Sequence, residues 1–264
     1  AMRDVWEKKK NKGSIDDICQ ALLKKNNIVA HDLSAMLFPF SAKGSYGRFF
    51  TGDCQNNLED DIVVIEVSEL LSHPILMSVL VQIVIIQIYQ MMSKLDRTRP
   101  FVIIIDEAWK LLQGKDSAGF IAELNRTLRK YFGSVVMATQ MMGDFFRAES
   151  PAVTEAFNNS EWKVIMSQPH DAITSYKSHP QLKAFVDNDY DESLLKSIKS
   201  NNPHYSEMAI YGTGIRGVVG RLRLDPFSRI LYSTNPTEFQ AIEALQKQGH
   251  SVDEAIRIYM ERTA

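Results

Sequence analysis

The residues best placed to do chemistry are Asp106 and Glu107, which close the run "FVIIIDEAW" beginning at Phe101. Five consecutive apolar residues, mostly β-branched, predict a buried strand. Ligands of open α/β sheets gather outside the carboxyl ends of the strands, so a strand ending in Asp-Glu delivers two carboxylates to that rim. Such a pair suits phosphoryl transfer. The first carboxylate can hold magnesium, directly or through water, and the second can orient and activate an attacking water. A strand that merely exits into a polar helix cap carries the same letters, so the pair needs support from elsewhere. The next apolar run supplies it: Ser134–Ala138 is followed by Thr139 and Gln140, "SVVMATQ". A polar side chain at that position can sense a γ-phosphate or position the water. A helix from about Ser117 to Tyr131 connects the two runs. Its spacing places Phe120, Leu124, Leu128 and Tyr131 on one face and Glu123, Arg126 and Lys130 on the other, with Arg129 on the flank. Arg126 or Arg129 could reach a phosphate, including one held by a neighbouring subunit. A solvated face with Glu123 and Arg126 as neighbours is the plainer alternative.

Further elements must position these groups. Helices are expected over residues 1–12 and 15–26, the second opened by a capping box of Ser14 and Asp17. A short helix near Leu33–Phe38 is expected to start at Asp32, and a polar glycine-bearing loop follows it. "IVVIEV", Ile62–Val67, predicts a buried strand, and Pro74–Lys94 a long apolar helix. Pro151–Asn158 reads as a helix and Trp162–Met166 as a fourth strand. Apolar runs alternating with helices predict an α/β fold with a mostly parallel sheet flanked by helices. Beyond residue 170 the pattern changes to short helices near Asp171–Tyr176 and Asp191–Lys199, a hairpin within Glu207–Tyr232, and two tail helices broken at Gly249. The expected organisation is therefore a core over residues 1–170 and a C-terminal part over 171–264 packed on it.

Bulk properties narrow the function classes. A chain of 264 residues suits one large α/β domain or a domain with an appendage. A net charge of -2 gives no global basic field, so nucleic-acid binding would need a local patch such as Arg216, Arg221 and Arg223. Exposed strand charge is the simpler account of those arginines. Cys19 and Cys54 form no metal or redox motif, the histidines lack ligand spacing, and no hydrolase triad is evident. "GTGIRG", Gly212–Gly217, precedes a strand rather than a helix and reads as a turn. The stretch from Pro74 to Met92 approaches membrane-spanning length, but Ser78, Gln82, Gln87 and Gln90 interrupt it, and a buried helix is expected. The basic run Lys8, Lys9, Lys10 and Lys12 reads as a solvated helix end.

"FVIIIDEAWKLL" with "LNRTLRKYFGSVVMATQ", and "PFSAKGSYGRFFTG" before "IVVIEVSEL", together resemble the TraC/VirB-type conjugative ATPases that power type IV secretion. The resemblance covers most of residues 1–170. It implies a RecA-like P-loop NTPase core, ATP and Mg2+ as cofactors, homo-oligomeric (hexameric) rings, and partners among other secretion ATPases and inner-membrane complex components at the cytoplasmic face of the membrane. By it, Asp106 and Glu107 match the Walker B acids, Gln140 the sensor glutamine, and Arg129 and Lys130 the family's basic pair. One departure is large. No G-x-x-x-x-G-K-[ST] occurs in the 264 residues, and that loop supplies the amides and lysine that grip phosphates. With methionine in second place, the chain is read as a piece of a longer protein, expected to be inactive without that loop. DNA-translocating motors of the coupling-protein or FtsK/HerA kind share this architecture, and a degenerate docking domain would also lack the loop.

Overall fold

The computed structural model describes residues 1–52, 60–67, 70, 72–94, 99–107, 119, 123–124, 126–146 and 151–263. Two compact units divide the chain, Ala1–Lys94 and Leu95–Ala264.

The first unit opens with three helices, α1 (Met2–Lys9), α2 (Ile15–Leu23) and α3 (Ile28–Leu37). The expected capping box is formed: Asp17 N–H donates to Ser14 Oγ at 3.2 Å, and Ser14 N–H to Asp17 Oδ2 at 2.9 Å. α3 starts earlier than expected. Asn27, not Asp32, caps it by accepting from Val29 N–H at 2.9 Å, which leaves Asp32 inside the helix. Helix α4 spans Pro74–Lys94 as expected. Its burial is a correction, because only Leu76, Ile85 and Met92 are buried while Ile75 and Ile86 are more than half exposed. By length and composition alone it could cross a membrane. Ile62–Val67 is a second correction. Among the described residues it joins no ladder, and Ile62 and Val64 are 85% and 84% exposed, so β-branching here has found no partner strand.

Among its described residues the second unit holds two sheets. β1 (Phe101–Ile105) and β2 (Gly133–Met137) pair in parallel, register Phe101↔Gly133 to Ile105↔Met137. Described residues of the connecting segment, including Leu124 and Leu128, are helical, and both leucines are buried while Glu123, Arg126 and Lys130 are exposed. Helix α5 (Pro151–Asn159) leads to β3 (Lys163–Met166). Here the mostly parallel sheet needs correcting for the described ladders. β3 pairs antiparallel with β5 (Tyr205–Gly212), as do β4 (Ser200–Asn201) and β6 (Ile215–Leu222). A parallel ladder requires a crossover, whereas the two-residue turn Thr213–Gly214 folds β6 straight back on β5, with Gly214 supplying φ +74°. Helices α6 (His170–Ser175) and α7 (Asp189–Ser197) sit between β3 and β4. The tail forms α8 (Pro226–Leu231), α9 (Pro236–Lys247) and α10 (Val252–Thr263), with Gly249 at φ +98° between the last two.

One apolar core spans position 170. Phe157 and Ile165 from before it pack with Ile173, Leu182, Phe185 and Tyr211 from after it. The β5–β6 ladder is interrupted beside Tyr211, where Gly217 takes φ +66°. Such a bulge re-aims its neighbours: Arg216 Nη2 reaches the buried Asp191 of α7 at 2.6 Å.

Candidate functional site

The two parallel strands end together. Ala138 N–H donates to Ile105 C=O at 2.9 Å, continuing the ladder one step past β2, so Asp106–Glu107 and Thr139–Gln140 leave the sheet side by side. The chain then turns sharply at Glu107, whose φ of 48° lies in the left-handed region. For a residue with a Cβ this backbone is unfavourable by roughly 1–3 kcal/mol and concentrates at functional sites. Glu107 N–H donates to Asp106 Oδ1 at 2.8 Å, which fixes the first carboxylate against the turn. Gln140 Nε2 donates to Glu107 Oε1 at 3.3 Å. The acidic pair and the glutamine therefore share one ledge, as their spacing predicts.

The turn after β2 is held from inside. Buried Asp144 accepts at Oδ2 from Thr139 Oγ1 (3.1 Å) and from Met141 N–H (3.0 Å). Thr139, expected to touch the nucleotide, thus gives its hydroxyl to Asp144. Beneath the turn lies Tyr176, 3% exposed, whose Oη donates to Gln168 Oε1 at 3.0 Å. Burial raises the Tyr176 pKa, the Met142 amide opposes that, and the Asp144 charge adds to it. Gln168 Nε2 donates in turn to Gln140 C=O at 3.3 Å. The amide orientations of Gln140 and Gln168 follow from these networks.

The basic candidates fare differently. Arg126 is engaged by Glu155 of α5 at 3.1 Å, with Glu123 at 3.9 Å, which fits the solvated-face alternative. Arg129 begins a short 3-10 turn, Arg129–Tyr131, and its side chain lies outside the described part. Lys130 is exposed. Asp144, Gln168 and Tyr176 were not picked out from the sequence. A signal existed for Gln168: "VIMSQ" after β3 echoes "VVMATQ" after β2, an apolar run closed by a polar residue and glutamine. A groove of about 740 Å³, lined in part by His170, Lys199, Tyr205 and Arg221, lies apart from Asp106 and Glu107. Of the three arginines proposed as a basic patch, Arg216 and Arg221 are held by Asp191 and Glu207, each at 2.6 Å.

With this geometry in view, the comparisons are decisive about kinship. The family model of the TraG P-loop domain matches residues 13–263. The chain belongs to the TraG P-loop domain family. The resemblance to TraC/VirB-type ATPases is thereby shown. Protein TraC of Escherichia coli (strain K12) is 26% identical over 273 residues, covering 97% of this chain. The chain spans about a third of that relative, 31% of its length. The solved structure of VirB4 from Thermoanaerobacter pseudethanolicus superposes with a TM-score of 0.59 at 18% identity, over 85% of this chain and 56% of that one. Together with the matched P-loop domain model, that likeness shows a P-loop NTPase type of α/β fold. The donor set at the ledge suits a hard divalent cation: the carboxylates of Asp106 and Glu107 offer only oxygen ligands, the type magnesium takes.

Proposed function

We propose that this TraG-family chain is the Walker B half of an ATP-hydrolysing motor of type IV secretion or conjugation. The observation that carries the reading is the contact between Gln140 and Glu107 at the shared end of two parallel strands. In the full-length protein, Asp106 would hold Mg2+, directly or through water, and the ion would neutralise charge on the phosphate oxygens of bound ATP. Glu107 orients the attacking water and takes its proton. Gln140 fixes the Glu107 carboxylate and carries loss of the γ-phosphate into the turn that follows β2. The basic side chains Arg129 and Lys130 serve a phosphate in the same or a neighbouring subunit, with Arg126 held back by Glu155.

The finer architecture belongs to the same proposal: a RecA-like core in which the parallel pair β1–β2 is part of a larger sheet flanked by helices, working as a homo-oligomeric ring, a hexamer, at the cytoplasmic face of the inner membrane beside other secretion components. The uncovered faces of β1–β2 and the unladdered Ile62–Val67 are the surfaces a larger sheet with covering helices would bury. The 264 residues, lacking a phosphate-gripping loop, bind ATP weakly and do not turn it over by themselves. The test is Glu107→Gln in the full-length protein. Turnover should fall by roughly 10²–10⁴-fold while ATP binding, read by a fluorescent analogue, persists. Unchanged turnover would overturn the assignment.

A further inference from the structure

The ledge is also gripped from a third strand end. Gln168 stands two residues beyond β3, which ladders with the antiparallel sheet and not with β2. Its side chain nevertheless crosses to the turn after β2 and donates to the Gln140 carbonyl at 3.3 Å, while its Oε1 accepts from Tyr176 Oη at 3.0 Å. The path Glu107–Gln140–Gln168–Tyr176 thus runs continuously from the acidic pair to a hydroxyl in the apolar core shared with Ile173, Leu182 and Phe185.

The chemistry of this path is directional. A glutamine amide can donate from nitrogen and accept at oxygen at the same time. Gln168 does both, so it can span the gap between a fixed phenol and a peptide carbonyl. Tyr176, almost fully buried and part of the core cluster, gives the path an anchor inside the packed core. Gln140 itself is exposed, and its side chain has one described partner, Glu107. Left to itself, an exposed glutamine samples several rotamers, and holding one is entropically unfavourable. Fixing its peptide from behind reduces the freedom of the side chain in front.

We infer that Gln168, anchored by Tyr176, is a positioning residue for the hydrolytic step: it holds Gln140 against Glu107 and links the nucleotide ledge to the C-terminal antiparallel sheet. This rests on the proposed ATPase reading. Among its described contacts Gln168 does not touch the acidic pair, so its effect on turnover runs through Gln140.

The test is a double-mutant cycle in the full-length protein, with ATP turnover and nucleotide affinity measured for Gln140→Ala, Gln168→Met and the double variant. Methionine keeps the length of Gln168 and removes its side-chain hydrogen bonds, to Gln140, Tyr176 and the neighbouring Ser167 carbonyl. Losing a bond of this kind corresponds to about tenfold, and the expected result is a fall of that order in kcat with KM within about twofold. The double variant should be no slower than Gln140→Ala alone, because the two residues act in series. If the losses multiply, or if KM rises while kcat stays, Gln168 is not a positioning residue and the inference is overturned. Tyr176→Phe, which keeps the ring in the core and removes the anchor, should reproduce the Gln168→Met defect more weakly; a normal kcat there also counts against it. Should Gln140→Ala leave turnover intact, the ATPase reading of the ledge fails first, and that outcome is distinct from a slow Gln140→Ala paired with a normal Gln168→Met.

Discussion

The parallel pair β1–β2 and the antiparallel sheet β3–β6 are built from similar apolar residues and are put to opposite uses. On the parallel pair, Val102, Ile104 and Val136 are 57%, 71% and 48% exposed, and the chain leaves β1 through a left-handed glutamate. Against the antiparallel sheet, Ile165, Ile173, Leu182 and Ala209 are at most 4% exposed and belong to one continuous cluster. Packing at crystal-like density stabilises the second region, while the first carries the unfavourable backbone and the acidic pair. The contrast teaches that the packed part of this unit lies behind the acidic ledge: the core sets the position of Tyr176, and Tyr176 reaches the ledge through Gln168.

The largest expected effect follows from the first region. Glu107→Gln keeps shape and backbone, so its thermal midpoint should match that of the unsubstituted protein even as turnover collapses. Ile173→Ala should behave in the reverse sense. It opens a cavity at a fully buried position and should cost about 2–5 kcal/mol of unfolding free energy, read by denaturant titration of the 264-residue chain. A loss below about 0.5 kcal/mol, the size typical of surface sites, would mean that the cluster is not the stabilising core. The exposed face of the parallel pair sharpens the comparison further. Ile104→Ser in the 264-residue chain should change stability by no more than about 0.5 kcal/mol, as at other uncovered positions. In the full-length protein the same change should cost about 1.5–3 kcal/mol if helices cover that face. Equal small effects in both would count against the RecA-like covered sheet.

How much of this was legible in the sequence depends on what each residue answers to. The ledge was legible because two strands that each end in polar residues need only a parallel register to bring them together, and parallel register follows from the intervening helix. The Ser14–Asp17 box, α4 and the Thr213–Gly214 turn were legible for the same local reason. β3 was misread because its apolar run, Lys163–Met166, fits a parallel or an antiparallel partner equally well, and the choice was made by β5, some forty residues later. Ile62–Val67 shows the complementary limit. β-branched residues favour a strand but cannot supply the neighbour that makes one. Arg126 and Thr139 carried the right chemistry for a phosphate, and spacing could not reveal that Glu155 and Asp144 would take them.

The smallest effect concerns the edge of the stable region. Glu192 of α7 lies between Lys177 Nζ at 2.5 Å and Lys196 Nζ at 2.6 Å. The hydrogen bond from Lys177 and then that from Lys196 hold its carboxyl down from 4.5 to about 2, against a smaller opposing effect of burial. A carboxyl whose folded pKa is depressed adds stability that is fully present above its unfolded value and disappears as pH falls through the folded one. The contribution of Glu192 should therefore be intact at neutral pH and fade between about 4.5 and about 2. Glu192→Gln removes it, so the two chains should differ slightly at pH 7 and converge in that acid window when unfolding is followed by circular dichroism. Lys177 is half exposed, so solvent and salt screen the pair and the difference should shrink as ionic strength rises. Acid transitions that coincide at every salt concentration would show that α7 is held by its apolar face, Leu194 and Leu195, and that the charges contribute nothing.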